Sequence, residues 1–287
     1  MEFFLVTTDH LESQIWFKDD QDFIVAMNAV PLIAEMAGVR VVVFVLMSNH
    51  VHFILYCTYD QALEFINEFK RHQAFHIRKK YGAEKILRRN KIDIQMLDTS
   101  EESLERAIAY VQMNPVAANI CSHPSQYPWG TGSCFFKKSA TKGTPVESLS
   151  IRSRYKVLHS KLAVPAGSLL GEEGFILPES YVETRLVESV FKTPKRMNYF
   201  LYNSSKAKVV LNPTNIDGPV FKDQTIIPVM EDLCRTLFKK GSVQELTQPQ
   251  QAELIRQLRF RASSNINQIA RISGNPYETV TKLLDMF

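Results

Sequence analysis

The sequence predicts an α+β fold, with a ferredoxin-like antiparallel sheet, helices on one face of it, and a mostly helical C-terminal part. Two observations support this prediction. Segments with strand and helix periodicity follow one another over the first 113 residues in the order β-α-β-β-α-β-α. In addition, the apolar segment 39–56 is long enough for two strands and is interrupted by Ser48 and Asn49, which favour a turn.

The first strand and helix follow from local composition. An apolar run from Phe3 to Thr7 predicts a short strand. Apolar residues recur every three or four positions from Asp20 to Ala37, which predicts a helix. Pro31 lies inside this helix and predicts a kink or break, and Gly38 is typical of a helix C-cap.

A hairpin and a second helix come next. Val39 to Leu46 is β-branched and apolar and predicts a buried strand, and His50 to Tyr56 predicts its partner. Asp60 is the expected N-cap of a long helix that runs to about Tyr81.

A last strand and helix complete the first domain, which we expect to span residues 1–130. The strand is predicted at Ile92 to Leu97, and a helix from Thr99 or Ser100 through Met113. After Trp129 the composition shifts to Gly, Ser, Thr and Lys, which is typical of a linker or loop. Residues 131–248 are then a linker and helical region to which the sequence assigns no chemistry.

The C-terminal segment, residues 249–287, predicts a helix-turn-helix. A basic helix at 251–261 precedes a short helix, the turn Ser273-Gly274-Asn275 and a further helix. Ala270 and Gly274 would let two helices cross closely, as in DNA-binding helix-turn-helix units. The alternative is a small helical bundle that serves as a cap or a dimer interface.

Composition excludes several classes of protein. The chain has 287 residues and 45% hydrophobic content, enough for a sizeable core. The only long apolar segment is broken by polar residues, so we expect no membrane span, and the first residues lack the pattern of a signal peptide. The four cysteines form no CxxC pair, which argues against a zinc ribbon or a disulfide framework and fits a reducing cytoplasm.

Positive charge is concentrated in one segment. Residues 61–93 contain nine Lys or Arg and four Asp or Glu, whereas the net charge of the whole chain is only +4. Such a patch suits a polyanion, although a solvated helix face is the alternative. The candidate contacts to a nucleic-acid backbone are Lys70, Arg71, Arg78, Lys79, Lys80, Arg88 and Arg89. Phe69, Phe75 and Tyr81 lie among them and are candidates for base stacking or for the core.

The sequence His50-Val51-His52 is a candidate metal site. Side chains alternate along a strand, so both imidazoles would point to one face while Val51 points into the core. Two imidazoles at this spacing can bind one divalent cation. Backbone or solvent partners for both rings are the alternative.

A second candidate group is Tyr110 with Asn114. Residues four apart share a helix face, which would place the Tyr110 hydroxyl beside an amide oxygen that suits a hard cation. Against this, Pro115 disfavours helical geometry at Asn114, and Asn114 is also a good N-cap for a helix that begins with Pro115.

Together these motifs resemble the HUH single-tyrosine transposases, and especially their REP-associated branch. LMSNHVHFIL at 46–55 is similar to the family's histidine motif, YVQMNPVAANI at 110–120 to its tyrosine segment, and SQYPWGTGS at 125–133 to the stretch that follows. The resemblance covers roughly residues 1–130. It departs at Ala117-Ala118-Asn119, where many relatives have Arg-Ala-Gly.

The resemblance implies a transposase that nicks and rejoins DNA. Tyr110 would be the nucleophile of a 5′-phosphotyrosine intermediate, and His50, His52 and Asn114 would hold Mg²⁺ or Mn²⁺. The substrate would be single-stranded DNA that contains a hairpin, in the cytoplasm of a bacterium at the nucleoid. Relatives include monomers and homodimers that place the tyrosine in trans, so the oligomeric state stays open.

Three other interpretations remain. The chain could be a domesticated nuclease that processes repeats in its own genome. It could be a non-catalytic DNA-binding regulator on the same scaffold. It could also be a hydrolase that uses the histidines alone, with Tyr110 structural.

Overall fold

The computed structural model describes residues 1–8, 15–82, 87, 90–99, 102–118, 120–204, 223–260, 264 and 266–284. The first elements are β1 (Glu2–Thr8), α1 (Asp20–Ala37), β2 (Arg40–Met47), β3 (His50–Cys57), α2 (Tyr59–Tyr81), β4 (Ile92–Met96), α3 (Ser103–Gln112) and α4 (Asn114–Ala117). The later elements are β5 (Thr144–Pro145), α5 (Ile151–Leu158), β6 (Leu169–Leu170), α6 (Thr184–Phe191), α7 (Pro194–Asn203), α8 (Asp223–Thr236), α9 (Gln248–Phe260), α10 (Ile266–Ser273) and α11 (Tyr277–Leu284).

The four longer strands form one antiparallel sheet in the order β2-β3-β1-β4, which confirms the predicted α+β class. The turn at Ser48 and Asn49 joins β2 to β3 as the predicted hairpin, with Met47 opposite His50. β3 pairs with β2 on one side and with β1 on the other. The histidine motif therefore begins a central strand, whose backbone is held from both sides.

Helices cover both faces of this sheet, so the expectation of helices on one face was wrong. On the first face, α1 and α2 pack on the strand side chains that include Val51 and Phe53. On the second face, α3 packs on Val45 and Ile54 together with side chains from α6 and α7. The second layer depends on residues far along the chain, which the local pattern of the first 113 residues does not contain.

Two predicted helix boundaries need correction. Pro31 does not break α1, which runs from Asp20 to Ala37 with Pro31 buried inside it. The N-cap of α2 is Thr58 and not Asp60, since the Thr58 hydroxyl accepts from the backbone N–H of Gln61 and the Gln61 side chain accepts from that of Thr58. Gly38 caps α1 in the left-handed conformation as predicted.

The last helix of the first domain begins later than predicted. α3 starts at Ser103, after Glu102, which has a left-handed backbone with φ of 65°. Thr99 lies outside the helix, and Ser100 lies outside the described residues.

The Gly-rich stretch after Trp129 is an ordered loop that packs on β2. Gly130 forms a β-bridge with Val45. The buried Thr131 hydroxyl donates to the carbonyl of Phe44 at 3.1 Å and accepts from the Phe44 N–H at 3.1 Å and from Gln112 Nε2 at 2.9 Å. This loop therefore fastens the end of α3 to β2.

The C-terminal helices α8 to α11 form a core of their own, to which Ile15 also contributes. The next two residues, Trp16 and Phe17, belong to the sheet core, and their backbone N–H groups donate to the Ser48 carbonyl at 2.7 and 3.1 Å. All four cysteines are free thiols. Among the described residues, no helix has the length and apolar character to cross a membrane.

Candidate metal and tyrosine site

His50 and His52 lie side by side on the second face of the sheet. Their ring centroids are 4.8 Å apart with the planes nearly perpendicular, and the residues are 4% and 3% exposed. Val51, between them, is buried against the opposite layer, as strand alternation predicts. The motif therefore places two imidazoles together in a setting largely shielded from solvent.

A neighbouring amide orients the first imidazole. His50 Nδ1 lies 2.8 Å from Asn49 Oδ1, an oxygen that can only accept a hydrogen bond. Nδ1 therefore carries the proton, and the lone pair stays on Nε2, the atom that can bind a metal ion. Asn49 stands in the histidine motif, but its residue type and position gave no separate indication of a role in the site.

Tyr110 lies on the same face of the sheet as the histidines. Its ring meets that of His52 edge to face, with centroids 5.8 Å apart and planes at 90°. Buried Ile108, Ala109 and Val111 fix this part of α3 against the sheet. Burial raises the pKa of the Tyr110 phenol, so its ionisation needs a nearby cation or base.

Asn114 is tied to the helix that carries Tyr110. α3 ends at Gln112, and Asn114 begins the separate helix α4, so the two residues do not share one helix face. Instead, Asn114 Nδ2 donates to the carbonyls of Tyr110 and Val111 at 2.9 and 3.2 Å. These bonds use the amide nitrogen and leave Oδ1 as the acceptor end. Within the described residues, the hydrogen bonds of this side chain both go to α3.

These residues fit a divalent cation by the chemistry of their donors. The described residues contain no group of three or more His, Cys, Asp or Glu side chains that could hold a metal ion. Among the described residues, a cation on the histidine pair would find neutral oxygen ligands, or substrate, to complete its coordination. Two imidazole nitrogens with an amide oxygen suit Mn²⁺ or Mg²⁺ and leave positions open for phosphate or water.

The predicted nucleic-acid contacts on α2 have different surroundings. Lys80 bonds both Asp19 and Asp22 at 2.6 to 2.8 Å. Lys70 donates to the Asn90 carbonyl, and Arg71 pairs with Glu68. Exposed positions are occupied by Arg78 and Lys79. Arg88 and Arg89 lie outside the described residues.

The aromatic side chains of α2 also separate into groups. Phe69 is part of the core, so the stacking idea was wrong for it. The Tyr81 hydroxyl donates to Asp22 at 2.8 Å and to Asp19 at 3.3 Å, which holds the ring against α1. Phe75 is 66% exposed and keeps its place as a stacking candidate.

The predicted turn near the C-terminus is present. α10 ends at Ser273, Gly274 has φ of 71°, and α11 begins at Tyr277. Arg271 on α10 forms a two-point ion pair with Asp223 at 2.6 and 2.7 Å. Two short helices joined by a turn are therefore present, while a helix-turn-helix that binds DNA stays a prediction.

No protein-family model and no curated protein matches the chain. Among solved structures, a REP-associated tyrosine transposase bound to a REP hairpin aligns with 45% of this chain and 76% of its own, at 14% sequence identity and a TM-score of 0.36.

Proposed function

We propose that this chain is a metal-dependent DNA strand transferase of the transposase kind, which breaks and rejoins single-stranded DNA through a covalent bond to Tyr110. One observation carries the proposal. The phenol of Tyr110 stands against His52 on the same sheet face as His50, so a nucleophile and a pair of metal-binding nitrogens meet at one place.

His50, His52 and Asn114 would hold Mg²⁺ or Mn²⁺, which when bound would neutralise charge on the scissile phosphate. The Tyr110 oxygen attacks the phosphorus and loses its proton. The bond from phosphorus to the 3′ oxygen breaks, and that oxygen takes up a proton as a free hydroxyl. The DNA stays attached through a 5′-phosphotyrosine, and attack by another 3′ hydroxyl reverses the step and rejoins DNA.

The test is covalent trapping on labelled single-stranded DNA with a hairpin. In the presence of Mn²⁺, the wild-type chain is expected to give an adduct that survives a denaturing gel and is absent when EDTA is added. Tyr110→Phe is expected to lose the adduct, because phenylalanine has no oxygen to attack phosphorus. Tyr199→Phe is the matched control, since Tyr199 is 61% exposed on α7 and lies outside the site.

An adduct that persists in Tyr110→Phe would assign the nucleophile to another residue. DNA binding without any adduct in the wild-type chain would favour a non-catalytic regulator. If the chain cleaves DNA without forming an adduct, and this cleavage needs the histidines but not Tyr110, a hydrolase would be favoured.

The contact between His52 and Tyr110 within a single chain favours a tyrosine that acts in cis. Mixing Tyr110→Phe with His52→Ala tests this point. If the mixture stays inactive, the site is complete in one chain, whereas restored adduct formation would indicate a homodimer with the tyrosine in trans.

A further inference from the structure

A cavity of about 260 Å³ lies between the sheet domain and helix α9, and its wall includes the hairpin turn that precedes His50. Its walls include Asp20 at the start of α1, Ser48 in the hairpin turn, Cys121, Gln126 and Trp129 from the loop after α4, and Arg256 on α9. The volume equals that of roughly nine liquid water molecules, which is room for one flat heterocycle.

Residues in the wall of the cavity are linked to both elements that carry the candidate metal ligands. Ser48 precedes His50 by two residues, so their Cα atoms are at most about 7.6 Å apart. On the other side, the N–H of Ile120, another wall residue, donates to the carbonyl of Pro115 at 3.0 Å, next to Asn114. A molecule in the cavity would therefore lie close to DNA held at the site.

The lining combines a fixed aromatic wall with polar groups. The Trp129 ring stacks on Phe23 with centroids 4.8 Å apart and planes 11° from parallel. The carbonyl of Trp129 accepts from the N–H of Leu46 at 2.9 Å, which anchors this wall to β2. Because these contacts are formed within the protein, the wall is in place before any ligand arrives.

The polar groups present both donors and acceptors. Gln126 Oε1 accepts from Ser122 N and Oγ and from His123 N at 2.9 to 3.2 Å, which leaves Nε2 as the donor end of the amide. Glu253 holds Arg256 by two bonds at 2.7 and 2.9 Å, so the guanidinium is positioned and charged. The carboxylate of Asp20, whose charge interacts with Arg256, is the acceptor in this wall.

We propose that this cavity binds one unstacked nucleobase of the substrate strand, next to the phosphate that Tyr110 attacks. The inference rests on the proposed function. A base offers a flat surface for an aromatic wall and a mixed edge of donors and acceptors for Gln126, Arg256 and Asp20. The C-terminal helices would then take part in reading the substrate through Arg256.

Tryptophan fluorescence tests binding without any cleavage. The chain has two tryptophans, and Trp16 is fully buried, so a base in the cavity should quench Trp129. The probes are the four deoxynucleoside monophosphates and a single-stranded oligonucleotide, all in EDTA. We expect saturable quenching in the wild-type chain, at least tenfold weaker binding in Cys121→Phe, which fills the cavity, and no quenching in Trp129→Phe.

Two variants test the polar lining, and a third serves as their control. Arg256→Ala and Gln126→Ala should weaken binding and lower the rate of adduct formation about tenfold. Both change partly or fully exposed side chains, which limits their effect on folding. Arg235→Ala on α8 removes an exposed arginine outside the cavity and should behave as wild type.

The outcomes separate this inference from the proposed function. If the wild-type chain forms the adduct but Cys121→Phe and Arg256→Ala change neither quenching nor rate, the base pocket is wrong and the strand transferase stands. If quenching saturates and disappears in Cys121→Phe while no adduct forms on any DNA, the pocket stands and the strand transferase is wrong.

Discussion

The group that orients His50 is a neutral amide. Asn49 Oδ1 accepts the Nδ1 proton at 2.8 Å and thereby sets which ring nitrogen can bind metal. Residue types and spacing, together with the family resemblance, predicted the two imidazoles, the phenol and Asn114 as site residues. They could not identify this partner, because its role depends on a side-chain contact between neighbours at the hairpin turn.

We predict that Asn49→Ala weakens Mn²⁺ binding about 10- to 100-fold, since the His50 ring loses the partner that fixes its proton and orientation. Isothermal titration with Mn²⁺ in the absence of DNA measures the effect. Asn203→Ala is the control, because Asn203 is exposed and, among the described residues, its side chain donates to the Tyr199 carbonyl. Equal affinities for Asn49→Ala and wild type would refute the role of Asn49.

At the scale of elements, a buried carboxylate joins the start of α1 to the end of α2. Burial would raise the pKa of Asp22, but hydrogen bonds from His76 and Lys80, with the Lys80 charge and the backbone N–H of Lys18, lower it to about 2. The Asp22 carboxylate also accepts a hydrogen bond from the Tyr81 hydroxyl. The basic end of α2 is therefore partly used to hold the fold together.

This contact predicts acid sensitivity. The pKa of Asp22 lies below the ordinary value of 3.8. The ionised carboxylate therefore stabilises the folded chain above about pH 4, and this stabilisation is lost as the pH falls towards 2. The shift corresponds to about 2 kcal/mol. Asp22→Asn should be less stable than wild type by about this amount at pH 6, and the gap should close near pH 2.

Urea unfolding at a series of pH values measures this difference. Asp60→Asn provides the control, because Asp60 is exposed in the first turn of α2. If the difference in the free energy of unfolding between Asp22→Asn and wild type stays constant from pH 6 to pH 2, the ionised Asp22 carboxylate does not stabilise the fold as predicted.

Most elements near the site could be predicted from local patterns, because periodicity and turn residues determine them. The choice of Thr58 over Asp60 as N-cap could not be predicted, since both residue types are good caps. The two reciprocal hydrogen bonds between Thr58 and Gln61 decide between them. The role of Thr131 could not be predicted either, because its hydroxyl joins Phe44 of β2 to Gln112 of α3. In the sequence it stands in a Gly-rich stretch typical of a linker, and only long-range packing shows that it holds α3 in place.

At the scale of the whole molecule, Lys18 joins the sheet domain to the C-terminal helices. It is 2% exposed, and its ammonium group lies 2.5 Å from Asp232, 3.0 Å from the Thr236 hydroxyl and 4.7 Å from the centre of the Tyr81 ring. A buried ammonium group needs such partners, because removing one leaves a charge without compensation.

Asp232→Ala should therefore lower the free energy of unfolding by about 1–3 kcal/mol. Adding Lys18→Met should recover part of the loss, because it removes the buried charge. Thermal unfolding of the full chain measures both, with Asp60→Ala as the exposed control. An Asp232→Ala variant as stable as wild type, or a double variant less stable than the single one, would show that this ion pair does not hold the two parts together.

Ile15, Trp16 and Phe17 have three different attachments within three residues: the C-terminal core, the sheet core and the Ser48 carbonyl. A displacement of the C-terminal helices would therefore strain this tripeptide. Its last two residues, Trp16 and Phe17, are bonded to the turn just before His50. A ligand that shifts these helices would act through the tripeptide on the turn that precedes the imidazole pair, and a metal ion bound by the pair would act on the same turn from the other side.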